Sequence, residues 1–108
     1  MPTGPSALKE ALSRAKSMID SGDVDNALEL LRTEAWNVAE NNSHKVQVIS
    51  LAAEAKIAKG DIDMGNRKMH WQDAHNSYQR ALKLEPSNKE IRRAQNKLAS
   101  MMDSNQFH

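Results

Sequence analysis

Trp71-Gln72-Asp73-Ala74-His75-Asn76-Ser77-Tyr78-Gln79-Arg80-Ala81-Leu82-Lys83-Leu84-Glu85-Pro86-Ser87-Asn88 is the stretch on which the fold turns. Ala74, Tyr78 and Ala81 follow at intervals of four and three, which sets them on one face of a helix. The two alanines let a partner helix come close, and Tyr78 fills the gap beside them. Pro86 then stops the helix, since proline has no N–H to continue the ladder and its ring collides with the preceding turn. Ser87 or Asn88 is placed to cap the next helix.

Four further segments carry apolar residues at helical spacing. The first runs from Ser6, read as its N-cap, through Leu8, Ala11, Leu12, Ala15 and Ile19 to a stop at Ser21-Gly22. The second follows Asp23 or Asp25 with Ala27, Leu28, Leu31, Ala35 and Val38. The third has Val46, Ile49, Ala52, Ala53 and Ile57, with Gly60-Asp61 as its expected stop. The last, after Pro86, has Ile91, Ala94, Leu98 and Met102. No segment alternates with period two. Helices are expected near 6–21, 24–40, 44–59, 68–84 and 88–102, and no strands.

The helices pair into a repeat. Gly22-Asp23-Val24-Asp25-Asn26-Ala27-Leu28 joins the first two by a very short turn, and Met69-His70-Trp71-Gln72-Asp73-Ala74 holds the equivalent place before the fourth. The spacing Ala74, Tyr78, Ala81, Pro86 resembles the second half of a tetratricopeptide repeat. Residues 8–41 form a weaker first copy, with Ala15, the Gly22-Asp23 turn, Ala27 and Leu31 in place. That copy has Glu34 where a small residue belongs and lacks the proline, so Ala35 and Trp36 are expected to take over the packing. The second copy spans about 44–86. Gly60 and Pro86 lie 26 residues apart, where the repeat has about 17, so residues 62–70 read as an insertion. The resemblance implies an all-α, right-handed solenoid of two helical hairpins over residues 6–102. Helix 88–102 would cap its end, because an unpaired hairpin leaves an apolar face bare. Residues 1–5 and 103–108 are expected to be tails.

Composition agrees with such a module. The chain has 108 residues, enough for one domain, and its aromatics are only Trp36, Trp71, Tyr78 and Phe107. The core must therefore come from Leu, Ile, Val, Met and Ala. The absence of cysteine removes disulfides, thiol catalysis and thiolate metal sites. No apolar run approaches the ~18 residues of a membrane span, and the N-terminus lacks the pattern of a signal peptide. An intracellular chain, cytoplasmic or nuclear, is expected. Residues 1–64 carry seven Lys and Arg against ten Asp and Glu, and residues 65–108 carry eight against four.

No catalytic set is visible: no phosphate loop, nucleophile turn or paired acids. His70 and His75 are five apart and do not share a helical face, so no metal and no cofactor is expected. The resemblance instead implies a protein-binding adaptor or scaffold, a monomer or a part of a larger assembly. Its concave groove is lined by the first helix of each pair. By register, that groove takes Lys9, Leu12, Lys16 and Ile19 from the first helix, Gln47, Ser50, Glu54 and Ile57 from the third, and Glu90, Arg93 and Lys97 from the fifth. Its mixed, partly basic character suits a peptide or protein segment carrying an acidic residue. One subset of the family grips chaperone C-terminal tails through Lys, Asn, Asn, Lys and Arg. Those places hold Leu12, Lys16, Leu51, Glu90 and Ala94 here, which weakens that alternative. RNA binding through Arg67, Lys68, Lys89, Arg92, Arg93 and Lys97 is a second alternative. It lacks exposed aromatics for stacking, since Trp71 and Tyr78 belong to the repeat core.

Overall fold

Each of the five periodic segments forms a helix in the computed structural model, which describes residues 5–104. Helix α1 spans Pro5–Asp20. Helix α2 begins as Val24–Leu30, passes through a π-helical turn at Leu31–Ala35, and ends as Trp36–Val38. Helix α3 spans Asn42–Ile62, α4 Arg67–Leu84 and α5 Lys89–Ser104. A single 3-10 turn, Met64–Asn66, links α3 to α4. Among the described residues there is no strand. The expected tails, with Phe107 and His108, lie mostly outside the described residues, although Pro5, Asp103 and Ser104 are helical.

Local chemistry explains most of the ends. Gly22 has φ +89°, the left-handed conformation that side-chain-bearing residues avoid. Its N–H reaches the Ile19 carbonyl at 3.1 Å, and the Asp23 N–H reaches Met18 at 2.8 Å, the paired bonds of a Schellman stop. Asn41 caps α3 by accepting the His44 N–H at 2.9 Å, and Asn88 caps α5 by accepting that of Ile91 at 3.0 Å. Ser6, by contrast, lies inside α1. Proline at the first helical position suits a helix start, because its missing N–H would have had no partner there.

Two expectations need correction. Gly60-Asp61 does not end α3, which continues to Ile62. Gly60 is instead where α4 comes closest, with the Trp71 indole against its backbone. The indole N–H donates to the Ile57 carbonyl at 3.1 Å, and the Arg67 guanidinium lies 5.2 Å from the indole ring centre. Residues 62–70, read as an insertion, are mostly helical: Ile62 ends α3, the 3-10 turn holds Met64–Asn66, and residues 67–70 form the first turn of α4. Trp36 does not enter the core either and stays 36% exposed, while Ala35 is fully buried. The π turn supplies the reason. Its i→i+5 bonding absorbs one extra residue, so Ala27, Leu31 and Ala35 share a buried face at intervals of four and four. Glu34 is turned out.

The core has two parts. Leu8, Ala11 and Ala15 of α1 pack with Leu30, Leu31 and Ala35 of α2 and with Val48 and Leu51 of α3. Val46, Ile49 and Ala53 of α3 pack with Trp71, Ala74, Tyr78 and Ala81 of α4 and with Ile91 and Leu98 of α5. Helix α3 is therefore buried on two sides. Its neighbours run antiparallel within each pair: Arg14 near the middle of α1 meets Glu34 late in α2, and Lys56 and Gly60 meet Ser77 and Arg67. The molecule is elongated, 52 × 31 × 16 Å.

Candidate functional site

Burial of α3 from both sides leaves two uncovered strips along it. At about 100° per residue, Gln47, Ser50, Glu54 and Ile57 share one strip. Gln47 and Glu54 are exposed, and Ser50 and Ile57 half-buried. On α1, Lys9 and Lys16 are exposed, and Leu12 and Ile19 half-buried. The two sets meet where Lys16 Nζ stands 3.5 Å from Glu54 Oε1. Lys16 also pairs with Asp20 at 3.5 Å. Glu54, more than any other group, raises the Lys16 pKa above the ordinary lysine value. Lys16 is thus not the free cation that the sequence suggests. On α5, Glu90, Arg93 and Lys97 are all exposed, and among the described residues the ion pairs of the groove join α1 to α3 and not to α5. Tyr78 lies beneath the strip, its phenol pushed up to about 12 by burial and by Glu54.

The residues of the two alternatives are differently placed. Leu51 is buried between α1, α2 and α3 and Ala94 is half-buried, so neither can grip a peptide tail. Arg67 is engaged with Asp61 at 3.8 Å, with the Gly60 carbonyl and with the Trp71 ring. Arg92 donates to the Pro86 carbonyl at 3.1 Å. Trp71 and Tyr78 are each 3% exposed, which leaves no base-stacking platform around these cations.

The opposite strip of α3 holds residues that the sequence did not single out. Lys45, Lys56 and Lys59 are spaced by eleven and three, which sets them within about 60° of one another. Lys59 pairs with Asp25 at 2.6 Å, and Lys45 lies 5.7 Å from the centre of the Trp36 ring. Lys56 donates to Ser77 Oγ at 2.8 Å, and Ser77 in turn donates to the Asp73 carbonyl at 3.1 Å. Burial lowers the Lys56 pKa, Asp73 opposes the shift and Arg80 adds to it. Lys56, Ser77 and Arg80 edge a cavity of about 160 Å³ between α2, α3 and α4, where Arg32 and Trp36 come from α2; Lys45 and Lys59 do not line it. Three charges spread over about four turns are hard to see in a sequence, because isolated lysines on a helix are ordinarily solvated.

In the first turn of α4, His70 is 7% exposed, and its Nε2 lies 2.9 Å from Oδ2 of Asp63 in the connection to α3. Asn66 donates to the same oxygen at 3.0 Å. The bond with His70 is the main cause of an Asp63 pKa below the ordinary carboxylate value. His75 stands apart. Among the described residues no group of three or more His, Asp or Glu is placed to hold a metal ion. No described helix is long and apolar enough to cross a membrane. In comparisons with known proteins, no family model, no curated protein and no solved structure matches the chain.

Proposed function

We propose that this chain is a non-catalytic protein-binding module of the tetratricopeptide kind, two helical hairpins and a capping helix, taking a peptide or protein segment across α1, α3 and α5. The observation that carries the proposal is the double burial of α3 beside the Lys16–Glu54 contact. A helix packed on both flanks has only its two uncovered strips to offer, and one of them meets the outward strip of α1. Leu12, Ile19 and Ile57 give that face half-buried apolar footholds, and Lys9, Arg93 and Lys97 give it cations. The π turn supports the repeat, since allowing for its extra residue sets Ala27, Leu31 and Ala35 against Ala74, Tyr78 and Ala81.

Capture from a cell extract on the immobilised chain tests the proposal. Arg93→Glu/Lys97→Glu is the better control than a Lys16 variant, because Lys16 is already held by Glu54 and Asp20. The expected result is a protein retained by the native chain and released by the double reversal. Exposed charges are screened over about 10 Å at 0.1 M salt, so retention should also weaken as salt rises. Equal retention by both forms, indifferent to salt, would remove the groove from consideration.

A further inference from the structure

We propose that the cavity between α2, α3 and α4 is a second docking pocket, on the side of α3 away from the groove, that accepts a bulky apolar side chain flanked by carboxylates on an acidic peptide. The inference stands independently of the groove.

The floor is apolar. Leu31 is 1% exposed, Val48 3% and Ile49 5%, and Trp36 forms one edge. The volume of about 160 Å³ is close to the roughly 150 Å³ of an apolar cavity that admits benzene. One large side chain would fill it. The edge carries the charge: Arg32, Lys56 and Arg80 come from three different helices, and no carboxylate lines the cavity. Of these cations Arg32 is already paired with Glu29 from the preceding turn, so Lys56 and Arg80 carry most of the available charge; Asp73 faces Lys56 without an ion pair. Arg80 has no ion pair among the described residues. Lys56 is half-buried, and the loss of hydration makes its charge costly; Asp73 offsets part of that cost and Arg80 adds to it, so an incoming carboxylate would stabilise the ammonium further.

A nucleic acid fits less well. Phosphate tracking needs a run of cations along the strand, and bases need a free aromatic face. Here Trp36, the one exposed aromatic among the described residues, already has Lys45 against its ring. The arrangement therefore favours a side chain dropped into an apolar pocket with its acidic neighbours on the cationic edge.

The test is an amide NMR titration of the full chain with a blocked Glu-Phe-Glu peptide. Glu-Ala-Glu, Lys-Phe-Lys and a single-stranded RNA oligomer are the comparators. The expected result is movement of the Trp36 indole signal and of the Ala52, Lys56 and Ser77 amides with Glu-Phe-Glu. The Trp71 indole, buried and bonded to Ile57, serves as the internal reference and should stay. Arg32→Glu/Arg80→Glu should weaken binding by about tenfold or more, with Arg80→Gln as the milder variant and the amide spectrum as the check on folding. The proposal is overturned if Glu-Phe-Glu moves nothing at the cavity, or if Glu-Ala-Glu or Lys-Phe-Lys moves the same signals equally. Stronger shifts there with RNA, or unchanged affinity in both folded variants, also overturn it.

Discussion

A β-carbon built on Gly60 would lie 2.5 Å from Trp71 Nε1 and 2.6 Å from its Cδ1. Atoms cannot share that space, so Gly60→Ala must push the indole off the Ile57 carbonyl. Alanine gains about 1 kcal/mol of helix propensity over glycine, while overpacking and a displaced indole cost about 1–3 kcal/mol. The net expectation is destabilisation, read as a lower denaturant midpoint with a shifted tryptophan emission. Gly65→Ala is the matched control, because nothing lies within 4 Å of a β-carbon there. Equal midpoints for the two variants would contradict the packing described. Ala81 is fully buried at the same α4 interface, and Ala81→Leu should likewise cost about 1–3 kcal/mol. An unchanged midpoint would mean the interface gives way more easily than its burial implies.

Among the elements, α2 tells most about what a sequence conceals. Helices α4 and α5 are legible because their small residues, proline and Asn88 cap fall at regular helical intervals. Helix α2 is only half legible, since one extra residue in its π turn breaks the four-and-three interval of the repeat and puts Glu34 where a small residue belongs. In α3 the stripe through Val46, Ile49 and Ala53 stands out, but Val48, Leu51 and Ala55 make a second stripe that blurs it. A helix buried on both flanks loses the one-sided pattern by which helices are recognised. The groove residues were placed by register, and the structure joins only Lys16 to Glu54; the Lys56 cavity has no local signature at all. The π turn itself can be tested. Deleting Thr33 should restore regular α-helical bonding through 31–35 with Ala35 still inward, so stability should change by about 1 kcal/mol or less. Deleting Asn76 from regular α4 should rotate its core face and unfold the second hairpin. Comparable damage from both deletions, measured by circular dichroism, would refute the register argument. The connection between α3 and α4 carries a pH dependence. Its Asp63 carboxyl is held below the ordinary aspartate value of 3.8, chiefly by His70. The folded state therefore resists protonation there. This contribution is complete above pH 3.8 and disappears as pH falls from there through the lower folded value. The midpoint difference between native chain and Asp63→Ala should accordingly hold steady above that pH and shrink below it. A difference that grows on acidification would reverse the sign of the coupling.

Over the whole molecule, the two clusters are joined by α3 and share no buried side chain. Each contains one of the two largest fully buried residues, Leu31 in the first and Leu98 in the second, both 1% exposed. Truncating either to alanine should cost about 2–5 kcal/mol, a large part of the stability of a domain this size. Where the loss is felt should differ. The two clusters meet only through α3, so part of each loss should stay local. Leu31→Ala should therefore speed amide exchange through α1 and α2 while α4 and α5 keep most of their protection. Leu98→Ala should do the reverse, loosening α5 first and then the outer face of α4. Amides of α3 should slow or quicken least in either variant, because one flank always remains packed. Hydrogen exchange on the two variants reads this directly. Uniform loss of protection over 5–104 in both would mean that the clusters open as one unit. Coupling through α3 would then outweigh the separation of the cores, and a ligand bound on one side of α3 would stabilise both hairpins equally.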